Sequence, residues 1–89
     1  MARKAGGEDG LLGLFGHTLN DEGEIVYQFN IVRRASEQAY IVQLYSWLDG
    51  GPTEVKVLEK DDLLSDRCRL YLSAEQMHEA YERYCERHR

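Results

Sequence analysis

Two neighbouring stretches of the chain alternate their side chains with a period of two. Residues 24–34 read EIVYQFNIVRR and residues 39–47 read AYIVQLYSW. In a strand, successive side chains point to opposite faces, so this period is that of a β-strand and not of a helix. In the first stretch Ile25, Tyr27, Phe29 and Ile31 fall on one face and Val26, Gln28, Asn30 and Val32 on the other. In the second, Tyr40, Val42 and Leu44 oppose Ile41, Gln43, Tyr45 and Trp47. Only Ala35, Ser36, Glu37 and Gln38 lie between them. A connection that short can join antiparallel neighbours but cannot make a parallel crossover of about a dozen residues. The chain is therefore expected to build an antiparallel sheet, with Val42 and Leu44 in its core.

The flanking segments extend that sheet. Residues 11–19 (LLGLFGHTL) have the apolar content of a first strand, and Asn20-Asp21-Glu22-Gly23 reads as a hairpin turn. Gly10, Gly13 and Gly16, three residues apart, suit strand curvature better than a phosphate cradle. The Gly50-Gly51-Pro52 turn leads into a fourth strand at residues 54–59 (EVKVLE). Residues 60–66 (KDDLLSD) suit one helical turn that tucks Leu63 and Leu64 inward, and residues 67–72 (RCRLYL) form a short fifth strand. Ser73 and Gln76 have capping-box spacing, after which Met77, Ala80, Tyr81, Tyr84, Cys85 and His88 recur on one helical face.

The expected architecture is mainly β: a small five-stranded antiparallel barrel with a C-terminal helix over residues 73–88. A chain of 89 residues has room for one modest core. Residues 11–89 are expected to form a single domain and residues 1–10 (MARKAGGEDG) a flexible arm. Arg3 and Lys4 precede no apolar run, and no stretch approaches the ~18 apolar residues of a membrane span. Cys68 and Cys85 lack metal-site or redox spacing and are expected as free thiols in a cytoplasmic protein.

Sixteen acidic against eleven basic side chains give a net charge of -5. That balance disfavours a general nucleic-acid binder, whose affinity rests on cations neutralising phosphates. Local basic groups remain: Arg33 with Arg34, Arg67 with Arg69, and Arg83, Arg87 and Arg89.

Catalytic constellations are not evident. His78 and Glu82 sit four apart on the helix, but the zinc-protease pattern needs a second histidine at that second position. Cys85 and His88 are three apart, yet Cys85 belongs to the apolar stripe, where a thiol is inert. No catalytic residue, metal or cofactor is expected, and the chain reads as a non-enzyme.

Four strands, a helical turn and a fifth strand is the element order of SH3-like small barrels, the group that includes Tudor and chromo-type domains. "GLFGHTLNDEGEIVYQFNIV", "IVQLYSWLDGGPTEV" and "DDLL" also resemble small proteins carried by phages and plasmids, which open with a Gly-aromatic-x-His strand and share a Val-Gln-Leu-aromatic-x-Trp-Leu core. The resemblance spans residues 11–72 and implies the barrel and a phage or plasmid setting, with no particular activity attached.

A small barrel lends itself to binding. Tyr45, Trp47 and Asp49 lie at the lip of the Gly-Gly-Pro turn and are candidate partner contacts, with Trp47 either exposed for a ligand or covered by the helix. Glu75, Glu79, Glu82 and Glu86 form an acidic line along the helix that could enter a groove built for phosphates. The leading expectation is a protein partner, in the form of inhibition of a host defence or nucleic-acid-handling complex by occlusion. The alternative is a nucleic-acid accessory module using Arg33, Arg34, Arg67 and Arg69 with exposed aromatics.

Overall fold

The computed structural model describes residues 10–87. The arm expected at residues 1–10 lies outside them except for Gly10, as does His88 at the end of the helical stripe. Five strands form one antiparallel sheet: β1 (Phe15–Leu19), β2 (Ile25–Ser36), β3 (Ala39–Tyr45), β4 (Pro52–Glu59) and β5 (Cys68–Tyr71). A one-turn helix, α1 (Lys60–Leu63), precedes β5, and α2 (Ala74–Arg87) follows it. The strand order is β4-β3-β2-β1-β5. The ladder ends on β4 and β5, which do not pair with each other, so the sheet is open where a barrel was expected.

The first face of the sheet carries the core. Phe29 and Ile31 of β2 stand opposite Leu44 and Val42 of β3, and these four with Tyr40 and Leu63 form the buried cluster. Val42 and Leu44 are thus buried as the alternation requires. Gly16 of β1 faces Phe29 across the ladder, and a Cβ there would sit 2.5 Å from the Phe29 ring and 2.8 Å from the Arg69 carbonyl oxygen. The absence of a side chain at Gly16 is what lets Phe29 reach the centre of the core. Register shifts between Ile31 and Arg33 and between Arg34 and Ser36 mark irregularities late in β2, where extra residues bend a strand and increase its twist.

Several boundaries differ from the sequence expectation. Leu11 to Gly13 form a turn, closed by the Leu14 amide donating to the Leu11 carbonyl, with Gly13 at φ +86°, so β1 starts only at Phe15. Leu63 is buried but Leu64 is 61% exposed, because one short turn can aim only one of two adjacent leucines inward. The capping box closes one residue early: the Gln76 amide donates to Ser73 Oγ, but Gln76 Oε1 accepts from the Leu72 amide instead of from Ser73.

Candidate interaction surface

The second face of the sheet is divided by α2. Met77, the buried anchor of the helix, lines with Ala74 and His78 a cleft of about 250 Å³ whose sheet-side wall includes Phe15, Gln28 and Tyr45. One turn further along, Tyr81 reaches an aromatic cluster centred on His17. The His17 ring stands edge-on to Tyr71, with centroids 5.2 Å apart, and its Nδ1 is hydrogen-bonded to the Tyr71 hydroxyl at 3.1 Å. Tyr81 and Trp47 flank the same imidazole at 6.1 and 6.2 Å.

His17 is fully buried and its Nε2 has no hydrogen-bond partner. Burial, with nearby His78 as the smaller influence, lowers its pKa to about 4, so the ring is neutral at physiological pH. Burial also raises the Tyr71 phenol above its ordinary value. His17 therefore acts as a packed, polar element of the helix–sheet seam and is closed to solvent. The resemblance marked a histidine in the first strand without giving it a role; that role follows from the docking of α2.

Trp47 resolves the alternative left open above. β3 ends at Tyr45, so Trp47 belongs to the following turn and not to the strand face it was expected to share with Tyr45. Its indole stacks on Tyr81, with centroids 4.5 Å apart and planes 27° apart, and its Nε1 donates to the Val26 carbonyl at 3.2 Å. It is nevertheless 42% exposed, so a ring held by Tyr81 and the Val26 carbonyl keeps part of its surface open to solvent. Beside it Leu48 is 98% exposed.

The turn itself is rigidly specified. Ser46 Oγ accepts from the Leu48 amide, Asp49 Oδ1 accepts from the Gly51 amide at 2.9 Å, and Gly50 takes φ +74°. Asp49 is thus committed to turn geometry through one oxygen, while Tyr45 is half-buried at the start of the seam. Glu75, Glu79, Glu82 and Glu86 are exposed along α2, as their spacing requires. Glu79 makes only a long, exposed ion pair with Arg83, at 3.9 Å.

The four arginines of the nucleic-acid alternative are not brought together. Arg69 pairs with His17, which pairs with Gln28, whereas Arg33 lies five residues further along β2, about 17 Å away in that direction alone. Arg34 donates to the Ser36 and Glu37 carbonyls and stands over the Tyr40 ring, and Arg67 is ion-paired with Asp21. Instead, Arg69 joins Arg83 and Arg87 of α2 around a cleft of about 450 Å³. Of the three basic groups visible in the sequence, parts of two meet here, which only the docking of α2 beside β5 could reveal.

Cys68 and Cys85 are free thiols, and burial pushes the Cys68 thiol up to about 11. Among the described residues no group of three or more histidine, cysteine, aspartate or glutamate side chains is placed to hold a metal ion, and no helix is long and apolar enough to cross a membrane. Comparison with known proteins found no matching family model, no matching curated protein and no matching solved structure.

Proposed function

We propose that the chain is a non-enzymatic protein-binding module on an SH3-like barrel scaffold, with the lip formed by Trp47 and Leu48 as its anchor. Support for the scaffold comes from the strand order β4-β3-β2-β1-β5, the irregular second half of β2 and the helical turn before β5. The observation that carries the binding role is the state of Trp47. Its ring is fixed in the free protein by Tyr81 and the Val26 carbonyl yet keeps part of its surface open, with a fully projected leucine beside it. An aromatic already ordered before binding loses little conformational freedom on complex formation, the property that makes tryptophan an effective interface anchor.

The acidic line Glu75, Glu79, Glu82 and Glu86 supplies electrostatic steering toward a basic partner. Occlusion of a host defence or nucleic-acid-handling complex, in the phage or plasmid setting implied by the resemblance, is the form of activity we propose. Affinity capture from host lysate with the wild-type protein and with Leu48→Asp tests the reading. A specific protein retained by the wild type at raised salt and lost from Leu48→Asp is the expected result. Equal capture by both proteins, or salt-labile capture of nucleic acid alone, would contradict it.

A further inference from the structure

The cleft on the opposite flank of α2 from Trp47 has a chemistry of its own. Arg69 of β5 and Arg83 and Arg87 of α2 line it, Tyr84 stands among them, and Leu19 and Ile25 contribute an apolar wall. No aspartate or glutamate lines it, although acidic side chains outnumber basic ones sixteen to eleven in the chain. Arg69 and Arg87 form no ion pair with any described residue, and the one formed by Arg83, with Glu79, is long and exposed. Three arginines lining one space repel one another unless an anion joins them, and planar guanidinium forks match phosphate oxygens in bidentate fashion.

We propose that this cleft binds a mononucleotide-sized phosphate ester, with the phosphate among Arg69, Arg83 and Arg87 and the planar ring against Tyr84 and the apolar wall. Size and surroundings select this class. About 450 Å³ exceeds what bare phosphate needs and lies within the ~300–1,000 Å³ range of small-molecule sites. A nucleic-acid strand would need cations to continue beyond the cleft. The neighbouring ground is instead the crest of α2, with Glu79, Glu82 and Glu86, and Arg67 is engaged by Asp21. A carboxylate from an acidic peptide carries one charge, against nearly two on a terminal phosphate.

The site is separate from the Trp47–Leu48 lip, so either reading can fail without the other. Calorimetric titration of the full chain with adenosine 5′-diphosphate, adenosine, inorganic phosphate, a polyglutamate peptide and a single-stranded oligonucleotide tests it. The diphosphate should bind, adenosine should not, and inorganic phosphate should bind more weakly than the diphosphate. Arg83→Gln and Arg87→Gln, both at exposed positions, should each weaken diphosphate binding roughly tenfold, as expected for loss of one charge-assisted contact. Circular dichroism should show both variants folded. Absence of diphosphate binding at millimolar concentration, unchanged affinity in the folded variants, tighter binding of the polyglutamate peptide, or oligonucleotide affinity that rises with strand length would each overturn the proposal.

Discussion

Over β1 and β5 the second face of the sheet is covered by α2; over β4 it is bare, and β3 beside it is half-buried. Where the helix lies, a histidine is buried to the last atom and three further aromatic rings gather round it. Where it does not, Val55 and Val57 of β4, which pair with Gln43 and Ile41, remain 59% and 61% exposed. The same strand pattern thus gives a sealed seam on one side and an open apolar row on the other. The difference lies in where a single helix can reach after leaving β5. Stability is expected to reside in the first-face core and the seam, and contact with partners at the rim where the seam ends, at Trp47 and Leu48.

The largest test of that division is in the core. Leu44→Ala removes a side chain packed against Phe29 and should cost about 2–5 kcal/mol in denaturant unfolding, whereas Val57→Thr on the bare half should change stability by no more than about 0.5 kcal/mol. Comparable losses at the two positions would erase the distinction between the halves.

The seam can be tested by pH. The His17 pKa is lowered to about 4 in the folded protein from an ordinary 6.5, so between these values the unfolded chain binds a proton that the folded protein does not. Its contribution is therefore fully present above about pH 6.5 and is lost as pH falls toward 4, by on the order of 3 kcal/mol. His17→Gln should flatten that part of the stability–pH curve relative to the wild type. An equal slope in both proteins would show that His17 is not buried in its neutral form.

A smaller effect is expected at the lip. Trp47→Ala loses the stack on Tyr81 and the bond to Val26 and should cost about 1–2 kcal/mol, less than a fully buried tryptophan would. Leu48→Asp should leave the unfolding midpoint nearly unchanged, because its side chain touches almost nothing. A loss at Trp47 as large as that at Leu44 would move the indole from the rim into the core.

How far the sequence foretold this arrangement depended on the range of the interaction involved. The period-two runs of β2 and β3, the glycine-rich hairpin tip and the apolar stripe of α2 were legible because they express local geometry. The first strand was drawn too long because a glycine at positive φ, Gly13, ends a turn inside an apolar run that otherwise reads as strand. Trp47 was placed on β3 because alternation continues through residues 45 and 47, while the turn hydrogen bonds that pull it off the strand involve Ser46, Leu48 and Gly51. The seam around His17 and the convergence of Arg69 with Arg83 and Arg87 are tertiary. They depend on which side of the sheet α2 crosses, which no spacing along the chain encodes.

Trp47 is the chain's only tryptophan, so its fluorescence reports the lip alone. Acrylamide quenching of the free protein and of its complex with the captured partner measures the central claim directly. The half-open indole should be readily quenched in the free state, and partner binding should shield it and shift its emission to shorter wavelength. Quenching and emission that stay the same when the complex forms would contradict the account and place the contact elsewhere on the molecule.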